Sequence, residues 1–409
     1  MTPLPALANF PLMKTLGALA SVFLILGFSE RAWAQAQDDL DREAAEVEAG
    51  ESSGEAAREE MLKNFRESAR RQAEELDALP GKMQAQYDEL LRNMAAQREA
   101  LKAKVSRQWT EFHESTNKNW VVYNEKADSV SQVDFEKGTV EIETLIPVED
   151  VTKGRKKTAI LSDLLPKERE KVKEIAEMKI REQTEKIVAE KEKGEPILKG
   201  QFQVPKTPPK MIIESKPVVA EDGKPRLKVK VVLPMTPEHV KIRAKQNQAR
   251  VEASAKKYGL DPAFVFAVIH TESFFNPRAR SHAPAFGLMQ LMAQSGAREA
   301  HQYLYREDKL LSPEELYDPD TNVLLGATYL HMLMTRHFGK IKNPENRRTL
   351  AIAAYNCGPG CVRRDVLSKK KVDEMTNDEL VSYIRRSVPK ETQEYVPKVQ
   401  GRIPLYQKL

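Results

Sequence analysis

Glu272 comes after a run, Phe264, Val265, Val268 and Ile269, whose steps mark one face of a helix. Asp261-Pro262 supplies a start signal for that helix and Asn276-Pro277 a stop, which puts Glu272 at or near its C-terminal end. A carboxyl group there, flanked by Ile269, Phe274 and Phe275, loses hydration and faces the negative end of the helix dipole; both disfavour the anion. A carboxylic acid that stays protonated near neutral pH is a general acid. Taken alone, Glu272 is one helix-end glutamate among many, most of which face water. The blocks downstream of it set it apart: Ser273, then Ser281, then Gly287-Leu288-Met289-Gln290, then Ala354-Tyr355-Asn356, and finally Glu391-Thr392-x-x-Tyr395-Val396.

These blocks, in this order, resemble the signature of the lysozyme-like lytic transglycosylases of the bacterial cell wall: a Glu-Ser, a Gly-Leu-Met-Gln and an Ala-Tyr-Asn. The resemblance runs from about residue 236 to the C-terminus. A second stretch, Trp120-Val121-Val122-Tyr123 with Val133-Asp134-Phe135-Glu136-Lys137-Gly138-Thr139-Val140, is similar to the N-terminal domain of the transglycosylase C branch. The resemblance implies that Glu272 protonates the bond between N-acetylmuramic acid and N-acetylglucosamine. As a carboxylate it then takes a proton from the muramic C6 hydroxyl, which attacks its own C1 and closes a 1,6-anhydro ring. Hydrolases generally use a second carboxylate, and the loop from Ser273 to Phe286 holds none; a tethered hydroxyl offsets that lack through its high effective concentration.

Carried over position by position, the resemblance gives the other residues their roles. Ser281 orients the C6 hydroxyl or Glu272. Gly287 lets backbone approach the sugar, and Met289 and Gln290 line the cleft, Gln290 by hydrogen bonds. Tyr355 stands beside the acid, Asn356 holds the acid or the loop, and Tyr395 closes the cleft wall. Leu288 reads as packing, Met292 is left open, and Glu391 reads as a structural carboxylate. A muramidase of the same fold and a non-catalytic wall-binding scaffold remain as alternatives.

The elements that must position these residues can be read from periodicity. From about residue 236 onward the pattern is helical, with Thr236-Pro237 as a start signal. Before it, Ser129 to Phe135 and Thr139 to Ile146 are β-prone and joined at Glu136-Lys137-Gly138, which reads as a hairpin. A charged helix is expected over about 163–193, and Leu227, Val229, Val231 and Leu233 alternate with Arg226, Lys228 and Lys230 as in a half-buried strand. Met83, Tyr87, Leu90, Met94, Leu101, Val105, Trp109 and Phe112 mark a helical spacer. The expected class is α+β: a signal peptide at 1–34, a partly disordered helical spacer at 35–115, an α+β accessory domain at 116–234, and a mainly helical lysozyme-like domain at 236–409.

Length and composition set outer bounds. The chain has 409 residues, too many for one compact core, and a net charge of only +5 with 31% charged residues, so nothing suggests a nucleic-acid partner. Lys14, the apolar run Leu16 to Phe28, and Ala32-Trp33-Ala34 form an export signal, which places the protein in the periplasm. An uncleaved anchor is the lesser reading, and no cysteine near the cleavage site can carry a lipid. The expected partners are peptidoglycan glycan strands, with cell-wall or outer-membrane proteins for the N-terminal region. No cofactor and no metal are expected, since His270 and His282 have no metal-ligand company and there are only two cysteines. In an oxidising compartment Cys357 and Cys361 can pair.

Overall fold

The computed structural model describes residues 81, 83–154, 160–205, 209–281 and 283–409. The export signal, most of the spacer and His282 lie outside the described residues. The chain divides after Ala85 into two units, and the second holds the sheet and the helices that carry the blocks around Glu272.

That unit opens with helix α1, which runs through residue 106. An antiparallel sheet comes next: β1 (Asn119–Tyr123), β2 (Ser129–Asp134) and β3 (Thr139–Pro147) pair in sequence. A short helix α2 (Val148–Thr152) and a long one, α3 (Pro166–Ala189), come after β3. The two-residue strands β4 (Lys191–Glu192) and β5 (Glu195–Pro196) form a small ribbon, and β6 (Ile212–Ile213) and β7 (Val218–Val219) pair with β8 (Pro225–Pro234). β8 lies against β3, giving the order β1-β2-β3-β8-β6.

Strict alternation gives this sheet two buried faces. Val133, Val140, Ile142, Leu227, Val229 and Val231 meet Val172, Ala176 and Ile187 of α3 on one face. On the other, Val130 and Leu145 meet Val105 at the end of α1 and Trp109 just beyond it. Trp109 also donates from Nε1 to the Ala127 carbonyl at 2.6 Å. The end of the spacer is therefore sheet packing, where the sequence reads as a solvated helix: the helix stops at 106, and Trp109 turns in below it.

The remainder is helical: α4 (His239–Gln246), α5 (Gln248–Tyr258), α6 (Pro262–Ser273), α7 (Gly296–Tyr305), α8 (Pro313–Tyr317), α9 (Pro319–Met332), α10 (Pro344–Cys357), α11 (Pro359–Val362), α12 (Asn377–Ser387) and α13 (Lys390–Arg402). Between α6 and α7 sits a tiny hairpin, β9 (Ala285–Phe286) with β10 (Leu291–Met292). The overall class is the expected α+β. Helix α4 begins at His239, later than Thr236-Pro237 suggests, because the Thr236 backbone is engaged with the Gln201 carbonyl (2.9 Å).

Helix α6 is the axis of the helical part. Asp261 caps it by accepting from the Ala263 amide at 2.9 Å, and Pro262 occupies the first turn, where no donor is missed. Every residue from Ala263 to His270 is buried, so this helix is wrapped on all sides. It ends where Phe274 adopts a left-handed conformation, φ 51°.

Candidate active site

Glu272 lies in the last turn of α6. Its Oε1 accepts a hydrogen bond from the Tyr395 hydroxyl of α13 at 2.6 Å. Loss of hydration pushes its pKa up to about 8; the Tyr395 bond works in the opposite direction, and the Glu391 charge adds to the rise. The hydroxyls of Tyr395 and Tyr355 are both held well above the ordinary tyrosine value, first by burial and then by the nearby Glu272 charge. Glu272 and Tyr395 thus form a carboxyl–phenol pair in which both protons stay bound at neutral pH.

Next to this pair the Gly-Leu-Met-Gln block is held by three side chains. Ser273 donates to the Leu288 carbonyl (2.7 Å), and Tyr355 of α10 to the Met289 carbonyl (2.8 Å). Asn322 of α9 accepts from the Met289 amide (2.8 Å) while its Nδ2 donates to the carbonyls of Phe286 and Leu316 (2.9 and 2.7 Å). All of these bonds are to backbone, so they fix the course of the loop irrespective of its side chains.

Set against this geometry, the sequence-based assignments divide. Glu272, Gln290, Tyr355 and Tyr395 are brought together around one loop. The direct hydrogen bond to Glu272, expected near Tyr355, comes from Tyr395, while Tyr355 spends its hydroxyl on the Met289 carbonyl. Asn356 does not hold the acid: its Nδ2 donates to Glu391 (3.2 Å) and its Oδ1 accepts from Thr392 (2.6 Å), which ties the end of α10 to the start of α13.

Gly287 is buried and has φ +74°; an added Cβ would strike the Leu316 carbonyl and come within 2.5 Å of Asn322 Nδ2. Its missing side chain therefore makes room for α8 and α9 rather than for a sugar. Met289 is fully buried and fills the space above Gly326 of α9, so it belongs to the core and does not line a cleft. Met292, in contrast, is exposed. Ser281 donates to the Ala283 carbonyl and lies on the rim of a groove whose other walls include Arg98, Phe112 and Tyr123.

Gln290 has a left-handed backbone, φ 47°, and its Nε2 donates to the Gly287 carbonyl at 3.0 Å. Its Oε1 is buried without a donor among the described residues, so one acceptor in this loop is unspent. Cys357 and Cys361 are joined in a disulfide that spans the turn from α10 to α11, with Cα atoms 5.9 Å apart. Among the described residues no cluster of three His, Cys, Asp or Glu could hold a metal ion.

Sequence reasoning overlooked Asn322. The available signal was a lone amide on the apolar face of Val323, Leu325 and Leu330, where a buried polar group must have partners.

Comparison with known proteins joins these parts. Residues 250–377 match the transglycosylase SLT domain, and residues 85–201 match the N-terminal domain of membrane-bound lytic murein transglycosylase C. The membrane-bound lytic murein transglycosylase C of Klebsiella pneumoniae is 29% identical over 271 residues, covering 62% of this chain and 70% of that protein. The Cronobacter sakazakii protein of the same name is 35% identical over 174 residues, 41% of this chain; the match takes in about half of that relative, 46% of its length. Among solved structures, the lytic transglycosylase Slt of Pseudomonas aeruginosa is 33% identical over 39% of this chain and 23% of its own, with a TM-score of 0.33. The chain thus carries an SLT domain that contains the Glu272 and Tyr355 blocks, preceded by a domain that matches the N-terminal domain of transglycosylase C, and it is similar in both parts to the lytic murein transglycosylases.

Proposed function

We propose that this chain cleaves the glycan strand of peptidoglycan between N-acetylmuramic acid and N-acetylglucosamine without consuming water, leaving 1,6-anhydro ends. The observation that carries the reading is the Glu272–Tyr395 pair, an acid with its pKa raised to about 8 and oriented by one phenol. Protonated Glu272 gives its proton to the bridging oxygen, the C1–O bond breaks, and the N-acetylglucosamine part leaves as an alcohol. The resulting carboxylate takes the proton of the C6 hydroxyl as that oxygen bonds to C1, so the acid returns to its starting state. Tyr395, still donating to Glu272, stabilises the carboxylate formed between the two steps.

The loop from Ser273 to Phe286 supplies no second carboxylate. Glu391, whose charge reaches Glu272, is exposed and bonded to Asn356. The unspent Oε1 of Gln290 is suited to an acetamido N–H or a sugar hydroxyl. The relatives' names point to the cell envelope, and a periplasmic site of action is the consequence if residues 1–34 act as an export signal. Among the described residues no helix is long and apolar enough to cross a membrane.

The deciding experiment is mass analysis of products from purified murein sacculi. Muropeptides one water lighter than the reducing-end forms support the proposal. Reducing ends throughout would mean a muramidase, and no cleavage would leave a glycan-binding protein.

A further inference from the structure

Two backbone carbonyls, one in the last turn of α6 and one just past its end, are gripped from outside that helix. Asn117, in the segment leading to β1, donates through Nδ2 to the carbonyl of Glu272 itself at 2.9 Å, and its own carbonyl accepts from Asn276 Nδ2 at 3.3 Å. Arg243 of α4, fully buried, donates through Nε to the Phe274 carbonyl at 3.0 Å. Its other nitrogens reach the Phe135 carbonyl after β2 (2.8 Å), Gln201 Oε1 (2.7 Å) and His239 Nδ1 (3.1 Å). Among the described residues no carboxylate pairs with this guanidinium. A buried cation spent on backbone and amide oxygens is expensive as packing, yet it suits a fastener between chain segments.

Between the two grips the chain does something unusual. Phe274 and Phe275 are both left-handed, φ 51° and 62°, a conformation disfavoured for aromatic residues. As a result the two neighbours part company: Phe275 enters the helical core, while Phe274 joins the apolar core of the sheet. The Phe274 ring carries Arg402 at 4.8 Å and Lys118 Nζ at 5.0 Å, with the His270 ring edge-on at 4.6 Å.

We infer that docking against the sheet positions Glu272: Asn117 from the segment before β1, Arg243 of α4 bridging to the end of β2, and Phe274 seated in the sheet's apolar core fix the last turn of α6 so that the carboxyl meets Tyr395. Helix-end carbonyls have no partner within the helix and otherwise turn to water, which lets the last turn fray. Here the Asn117 amide and the Arg243 guanidinium replace that water as donors, and the Phe274 ring plugs into the core of the sheet. The groups facing Glu272 from its own half of the molecule are Tyr395 and Glu391 of α13 and Tyr355 of α10; Lys118, Arg243, Arg402 and His270 surround the clamp instead.

The inference rests on Glu272 being the working acid, so its test has one readout with activity and one without. In the full chain, Asn117→Ala and Phe274→Ala are compared for kcat and KM on glycan strands. In parallel the Glu272 carboxyl is titrated by carbon NMR on glutamate-labelled protein, its signal assigned by its loss in Glu272→Gln. Each variant is expected to lower kcat by about tenfold or more with KM within about twofold, since small misplacements of an acid are costly. The carboxyl midpoint should fall towards the ordinary value, and Phe274→Leu, which refills the plug, should recover most of both effects. Folded variants that keep the kcat and the midpoint of the parent would overturn the inference, as would a loss confined to KM. If Phe274→Ala does not fold, Asn117→Ala, at a partly exposed position, decides. If the parent releases no anhydro product, the functional proposal fails while the titration still judges the clamp.

Discussion

The Tyr395 hydroxyl lies 2.6 Å from Glu272 Oε1 although the two residues are 123 positions apart, one in the last turn of α6 and the other in the second turn of α13. The bond sets direction as well as proximity. It points one carboxyl oxygen at the phenol and leaves the other as the atom that can meet a substrate.

Removing the proton without the shape isolates the chemistry. Glu272→Gln is expected to lower turnover on murein by roughly 100- to 10,000-fold while glycan affinity stays within a few-fold, because the amide cannot act as an acid. Product formation and calorimetric binding of a soluble glycan, measured on the same preparation, check both halves.

Tyr395→Phe should act on the same carboxyl with the opposite sign from the clamp variants. The phenol favours the ionised form, so its loss raises the Glu272 pKa above about 8 and shifts the alkaline limb of the rate profile to higher pH. Activity at neutral pH should drop by about tenfold from lost orientation. A limb that stayed in place or moved towards lower pH would contradict the pairing.

Stability carries a pH signature too. Glu272 keeps its proton to about pH 8 in the folded chain but loses it near 4.5 when unfolded. Folding between those values takes up a proton, so the group's cost grows as pH rises from 4.5 to 8 and then levels off. Glu272→Gln has no such proton, and its melting temperature should gain on that of the parent across this window. Melting curves of both proteins at pH 5, 6.5 and 8 test the slope.

Within the Gly-Leu-Met-Gln block, Met289→Ala should cost about 2–5 kcal/mol of stability, as truncation of a buried side chain does. Gln290→Ala, which removes the unspent acceptor, should leave the melt nearly unchanged and raise KM. Chemical denaturation alongside steady-state kinetics separates the two outcomes.

The Cys357–Cys361 disulfide closes a very short loop, so replacing both cysteines by serine should cost only about 2 kcal/mol in the chain-entropy account. Denaturation with and without reductant measures it.

What was legible in the sequence was local. Asp261 and Pro262 announce α6, and the alternation in 227–233 announces β8, because capping and pleating are decided over a few neighbouring residues. The Gly-Leu-Met-Gln block, Tyr355 and Tyr395 lie around Glu272 and Ser273 in the fold. What could not be read were partnerships between distant elements: which tyrosine reaches the acid, why Gly287 must lack a side chain, and that Met289 faces Gly326. Asn117 carries no signal at all. It is a polar residue between α1 and β1, and only the docking of the sheet on α6 gives its amide a task.

The close packing of Gly287, Leu288 and Met289 has a practical side for engineering. Swaps at 287, 288 and 289 would be punished through yield and solubility before any change in turnover could be seen. Position 290 and the neighbouring solvent-facing Met292 are the places where altered sugar preference can be sought without rebuilding the scaffold.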